Sequence, residues 1–313
     1  MTLSRNVIKK TLGFSIGCIP QLQRALKRGL SVFVFHEVSD HPSRFAEQFG
    51  LAVSIETFSR QIHWIKSNFN VMRPADLLNE KRIPKYAAIV SFDDGFLGSF
   101  ENGLPILERM EVPSVLFLNM QAILEKKPLL SATACYLNRY IPEFSDFSKA
   151  TGLSPPFHLT LSPSILKAFE SYYGAINQDA VLDYQGPFAD LNVVKKWDGK
   201  DLVFFGNHLF DHWNATALSL EEFEEQYTKN EVALTQLKNR VNLFAFTNGQ
   251  PETCFSNRDI ACLNQLGAGK AFSASGGINR DPDDNYLLER MSLTEGDGDE
   301  DRLWFRMLRA GLK

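Results

Sequence analysis

The 313-residue chain has no apolar run approaching the roughly 18–20 residues that a membrane-spanning helix needs. It has no basic excess either: 33 Lys and Arg stand against 37 Asp and Glu, a formal charge of −4. That balance argues against a nucleic-acid-binding protein and against general attraction to an anionic surface. Cysteine is scarce. Cys18, Cys135, Cys254 and Cys262 show neither a CxxC pair nor zinc-ribbon spacing, and they read as buried free thiols of a reducing compartment. Internal repeats and low-complexity segments are missing. With 44% apolar and 22% charged residues the composition is that of an ordinary globular protein. Collagen-like, coiled-coil, disulfide-scaffold and integral-membrane classes are excluded. A soluble enzyme or binding protein remains.

The length suits two domains of ~150 residues, or one α/β barrel of ~250 residues with insertions. Residues 1–29 form a segment of their own. Arg5, Lys9 and Lys10 precede TLGFSIGCIP, where Thr11, Gly13, Ser15 and Gly17 dilute the apolar character a signal peptide needs. No small-x-small cleavage site follows. QLQRALKRG then reads as a basic amphipathic helix ended by Gly29. The expectation is a helix over 5–28 that packs on the body or lies against a membrane face, in a cytoplasmic protein, with secretion as the alternative.

From residue 30 to residue 275 strands alternate with helices, the pattern of βα units around a parallel sheet, open or closed into a barrel. LSVFVF, AAIVSF, PSVLFLNM, DLVFFGNH, VNLFAFTNG and GKAFSASGG are the strands. SIETFSRQIHWIKSNF is a helix with Ser54 or Thr57 as N-cap, and Ser219 with Glu222 opens another through a capping box. Between about 125 and 195 the pattern loosens into short helices and Pro-rich connections, read as an insertion in one domain spanning 30–313. The acidic stretch Glu295–Asp301 lacks the ligand order of a calcium loop and is expected to be a solvated loop.

Two local patterns carry chemistry. In SFDDG, Asp93 and Asp94 follow a buried strand, where unpaired charge is strongly disfavoured and where parallel α/β folds build their sites. Neighbouring strand residues face opposite ways, so the two share a site only if the chain turns, which Gly95 permits. An aspartate pair capping the next helix is the plainer alternative. In HLFDH, His208 and His212 are four apart just after a strand; on a helical turn they would share a face and bind one cation. Two histidines and a carboxylate with an open position make a catalytic zinc-type site, which also suits iron or another divalent ion.

SFDDGFLGSFENGLPILERMEVPSVLFL and FFGNHLFDHWNATALS resemble the first two motifs of polysaccharide deacetylases, the NodB homology domain of carbohydrate esterase family 4. The resemblance covers roughly 31–124 and 200–293. It implies a distorted (β/α)7 barrel of the NodB type and a metal-dependent hydrolase that removes N-acetyl groups from a sugar or glycan used in cell-surface polysaccharide biosynthesis. Asp93 would be the general base. Asp94, His208 and His212 would hold one divalent ion, zinc first, with iron, cobalt, nickel or manganese as alternatives.

The chain departs from that pattern at the third motif, where LFAFTNG has Thr247 in place of proline and no arginine. No histidine follows His212. A circularly permuted branch of the family carries its acid histidine near the N-terminus, and FVFHEVSD resembles that arrangement, which makes His36 the candidate acid. Arg290 in LLERMSL resembles a late arginine of related sequences. The TNG loop at Asn248 offers an oxyanion donor, and Trp213 is a candidate wall of a sugar cleft. His41, His63 and His158 read as structural or surface residues, and the acceptor-like Asn214-Ala215-Thr216 as coincidence. A deformylase or other amidohydrolase on the same metal site, and an inactive glycan-binding relative, are the alternative functions. No nucleic-acid partner is expected.

Overall fold

The structure, a computed structural model, describes residues 2–79 and 83–313, with side chains from residue 6 onward; the side chain of Arg5 lies outside this set. In chain order the strands are β1 (Leu30–Phe35), β2 (Glu37–Val38), β3 (Ala52–Val53), β4 (Asn70–Val71), β5 (Ala87–Asp94), β6 (Ser114–Leu118), β7 (Val203–Asn207), β8 (Arg240–Ala245), β9 (Lys270–Phe272), β10 (Leu287–Leu288) and β11 (Met291–Ser292). The main sheet runs β10-β9-β8-β7-β6-β5-β1-β11, with β4 beside β5, and its pairings are parallel. Its two ends are neighbours in sequence, separated only by Glu289 and Arg290. Leu288 pairs with Phe272 and Met291 with Phe33, so a broken seventh strand bridges β9 and β1. The sheet curls into the expected distorted (β/α)7 barrel, with a seam crossed by the chain itself.

Strand alternation divides the core. Leu30, Val32, Ala87, Ile89, Val115, Phe117, Leu243 and Phe272 fill one cluster, inside the barrel. Their neighbours Phe33, Phe35, Val90 and Phe92 face outward. These meet α4 (Ile55–Asn68), which buries Phe58, Ile62, Trp64 and Ile65 at helical spacing and starts where Ser54 Oγ accepts from the Thr57 N–H at 3.2 Å. Each fully buried aromatic contributes about 1.5–3 kcal/mol, so Phe92→Ala, which also opens a cavity, would cost about 3–5 kcal/mol.

The expected single N-terminal helix is two, α1 (Thr2–Gly17) and α2 (Pro20–Leu26). Pro20 has no N–H with which to continue the first ladder and serves as the first residue of the second helix. Between β2 and β3 lies α3 (Arg44–Phe49); α5 (Leu104–Arg109) and α6 (Met120–Glu125) flank β6. The stretch read as an insertion is helical: α7 (Leu130–Tyr140), α8 (Pro142–Thr151), α9 (Phe157–Thr160), α10 (Pro163–Tyr173), α11 (Gln178–Gln185) and α12 (Leu191–Trp197). After it come α13 (Leu220–Leu234), α14 (Asn257–Gln265) and α15 (Glu300–Gly311).

Helix α1 lies against α15. A Cβ on Gly13 would overlap the Asp301 carbonyl, Ile16 is buried, and Lys10 pairs with Asp299 at 2.8 Å. The acidic stretch before α15 is not a freely solvated loop. Glu295 accepts from the Ser54 N–H at 2.7 Å and Thr57 Oγ1 at 2.7 Å, Asp297 accepts from the Thr294 N–H at 3.0 Å, and Asp299 caps α15. These carboxylates terminate helices. No described helix is long and apolar enough to cross a membrane.

Candidate active site

The site is assembled at the C-terminal ends of β1, β5 and β7. Along β5 the inward series Ala87, Ile89, Ser91 reaches Asp93. Alternation would send Asp94 outward. Instead Asp94 takes φ +72° and Gly95 φ +106°, with the Gly95 N–H donating to the Asp93 carbonyl at 2.9 Å. This is the turn the sequence required, and it brings both carboxylates to one mouth.

The two histidines meet by another route than expected. Residues 208–212 are not a helical turn: Leu209 and His212 sit in the left-handed region at φ +61° and +49°. Buried amides hold this irregular loop. Asn119 Nδ2 donates to the carbonyls of His208 and Leu209, Asn207 Oδ1 accepts from the Leu209 N–H at 2.9 Å, and Asn230 Nδ2 donates to Asn207 Oδ1 at 2.8 Å. The HxxxH spacing was informative, but its helical rationale was not.

Asp94 Oδ1 lies 3.4 Å from His208 Nε2 and 3.2 Å from His212 Nε2. His208 Nδ1 donates to the Ala245 carbonyl at 2.7 Å, which in the neutral ring fixes the tautomer and turns the Nε2 lone pair toward Asp94. Asp94 Oδ1 is buried and lacks a hydrogen-bond donor. Three converging electron-pair donors with one unsatisfied oxygen fit a divalent cation, in the two-histidine, one-carboxylate set of a catalytic site.

Asp93 faces the same centre, its Oδ2 3.9 Å from His208 Nε2, and is gripped by Arg290 through two bonds of 2.6 and 2.7 Å. Burial favours the protonated acid, but Arg290 and His208 outweigh it and hold Asp93 below the ordinary carboxylate range. Asp94 is held well below that range, as His212 and His208 overcome its burial. Burial pulls His208 down, yet Asp93 and Asp94 raise it above the usual histidine value. For half-buried His36 burial wins over Asp94 and Asp93, and its pKa is lowered.

A cavity of about 250 Å³ opens over these groups. His36, Asp93, Asp94, His208, His212, Asn248 and Arg290 all line it. Trp213 does not: its side chain is buried in an apolar cluster with Leu161, Phe223 and Phe246. Arg290 is also placed differently from a substrate contact, since its guanidinium is occupied by Asp93 and, through Nε, the Ser273 carbonyl at 3.1 Å. Asn248, at φ +58°, has a buried Nδ2 without a hydrogen-bond partner. Asn214 is fully buried and donates to the Leu159 carbonyl at 3.0 Å, away from any modifying enzyme.

The sequence reading missed the walls. Phe45, Phe49 and Leu51 come from α3 and its end, Ser131 and Cys135 from α7, and His158 from α9. His158 packs edge-on against Phe49 at 5.7 Å between ring centroids, so it is a cavity residue rather than a surface loop one. A hydrophobic triplet before β3 and the single histidine of the insertion were the available signals. His41 and His63 are exposed, as expected. A wider depression of about 870 Å³ lies at the opposite, N-terminal end of the barrel, among Arg24, Arg28, Lys85 and Arg280, far from these groups in the fold.

Comparison with solved structures finds the same fold in deacetylases. IcaB from Ammonifex degensii superposes with a TM-score of 0.58 at 16% identity, over 89% of this chain and 97% of that one. Streptococcus pyogenes deacetylase PplD, in complex with acetate, gives 0.59 at 12% over 89% and 98%. A de-N-acetylase from Aggregatibacter actinomycetemcomitans gives 0.56 at 15% over 88% and 99%. At such identities the likeness is one of fold. No curated protein matches. The sequence profile of polysaccharide deacetylases, however, matches residues 80–268, more than half of the chain, which therefore belongs to the polysaccharide deacetylase family.

Proposed function

We propose that this member is a metal-dependent N-deacetylase acting on an acetylated sugar or glycan destined for a cell-surface polysaccharide, with a cytoplasmic place of action. The observation that carries the reading is the convergence of Asp94, His208 and His212 beside an ionised Asp93 in one buried mouth. Asp94, His208 and His212 would hold the ion, zinc first among divalent metals. When bound, it supplies Lewis-acid polarisation of the amide carbonyl and an acidified water.

The protein's own groups do the rest. Asp93, kept ionised and oriented by Arg290, accepts a proton from the attacking water. Asn248 presents an unpartnered donor to the oxygen on which charge develops. His36, which lines the same cavity, would pass a proton to the departing amine; its lowered pKa makes the imidazolium a stronger acid and confines this role to the protonated fraction. Phe45, Phe49 and His158 narrow the mouth, which excludes water and orients the sugar.

The test is metal per chain by plasma mass spectrometry together with acetate release from N-acetyl sugars. Close to one divalent ion per chain, lost in His208→Ala/His212→Ala, with acetate released by the parent and not by Asp93→Asn, is expected. Formate or a ring-opened acid in place of acetate would point to a different amidohydrolase. Metal-free protein that binds glycan without turnover would replace the enzyme by a binding protein.

A further inference from the structure

The N-terminal helix shows solvent an apolar face. Val7 is 61% exposed, Ile8 56%, Leu12 43% and Phe14 61%, although α1 is docked on α15 through Gly13, Ile16 and Gly17. At about 100° per residue these four, with Thr11 and Ser15 between them, span about 160° of the helix. The two hydroxyls do not interrupt the face. Thr11 Oγ1 donates to the Val7 carbonyl and Ser15 Oγ to the Thr11 carbonyl, each at 2.9 Å, so neither needs water. The face is thus built for apolar surroundings, on the side of the helix turned from the protein.

The charge of the segment points to what covers it. Residues 1–29 carry Arg5, Lys9, Lys10, Arg24, Lys27 and Arg28 and no Asp or Glu, in a chain whose net charge is −4. Lys10 is engaged by Asp299, but Arg24 and Arg28 are exposed and border the depression that Lys85 and Arg280 also line, with Asp281, Asp283 and Asp284 as its acidic members. A second copy is a poor occupant: a helix face of about 24 by 10 Å offers ~240 Å² per copy, against the ~800 Å² per partner of a stable interface. We infer that α1 docks this protein on an anionic lipid bilayer surface, its Val7–Phe14 face entering the interface and the basic residues of the same segment facing the headgroups. This stands independently of the deacetylase reading, since neither the metal site nor the cavity takes part.

The experiment is co-sedimentation of the full chain with vesicles of phosphatidylcholine alone and with added phosphatidylglycerol, with light scattering to report oligomeric state. Binding to the anionic vesicles, weaker on neutral ones and reduced by salt, is expected. Ile8→Glu/Phe14→Glu should lower the partition at least about tenfold. Both positions are exposed, so melting temperature and acetate release from a soluble substrate should stay as in the parent. Arg24→Gln/Arg28→Gln should reduce the preference for anionic vesicles. Absence of binding to phosphatidylglycerol vesicles, or binding that Ile8→Glu/Phe14→Glu leaves unchanged, would overturn the inference. A dimer that the same variant converts to monomer would do so too, by identifying the occupant as a second copy.

Discussion

Arg290 and Asp93, 197 residues apart, are joined by two parallel hydrogen bonds of 2.6 and 2.7 Å across the seam of the barrel. The seam explains the pairing. Because β10 and β11 break between Leu288 and Met291, residue 290 is free of both ladders and its side chain extends across the interior to the end of β5. The pair is buried on both sides, where a bidentate guanidinium is the partner that best satisfies a carboxylate.

Arg290→Lys keeps the charge and removes the fork. Asp93 is held below the ordinary carboxylate range, so weakening its partner raises its pKa. The acidic limb of kcat/KM then moves to higher pH, and kcat falls by about tenfold to a hundredfold while metal content is retained. A pH–rate profile beside metal analysis checks this. Loss of activity at unchanged pH dependence would assign Arg290 to the scaffold alone.

The strand-end aspartates were legible because β5 is a buried run stopped by a glycine, and the carboxylates at its end had to be used. The histidine pair was legible as a pair, but its geometry was not. Leu209 and His212 are left-handed, and Leu209 is held by Asn119 and Asn207, contacts that no helical spacing announces. The α1–α2 break was readable from Pro20, and the cavity walls were not. His158 reaches the mouth only because α9 packs over it, a tertiary arrangement with no trace in local periodicity.

The insertion is expected to set substrate preference. His158 and Phe49 close one side of a cavity of about 250 Å³, just under the range of small-molecule sites, which suits one sugar unit or a glycan end. His158→Ala and Phe49→Ala should therefore raise KM about three- to thirtyfold with kcat largely kept, and relax the preference for short substrates. Steady-state kinetics on a mono- and an oligosaccharide separate the two parameters. An equal fall of kcat with KM unchanged would move His158 into the chemistry instead.

Thiol reactivity should be confined to one position. Against the expectation of four buried thiols, Cys18 is exposed, whereas Cys135, Cys254 and Cys262 are buried, and burial pushes all three buried thiols up, Cys135 to about 12. The thiolate is the reacting form, so the buried three stay inert at neutral pH although Cys135 borders the cavity. Mass spectrometry after brief alkylation of the folded chain should find one adduct, on Cys18, and four after denaturation.

Stability should carry an acid-sensitive contribution from Glu295. Its carboxylate accepts from the Ser54 N–H at 2.7 Å, Ser54 Oγ at 3.1 Å and Thr57 Oγ1 at 2.7 Å, tying the segment before α15 to the start of α4. Partial burial works against the ionised form, but these donors outweigh it and lower the pKa from 4.5. A depressed acid stabilises the fold above its unfolded value and loses that contribution as pH falls through the folded one. Glu295→Gln should cost about 0.5–1 kcal/mol near neutrality, small because the residue is exposed and screened. The gap between parent and variant should hold down to about pH 4.5 and close below it, as followed by urea denaturation at several pH values. A gap that persisted unchanged in acid would mean that the contact acts through packing rather than through the carboxylate.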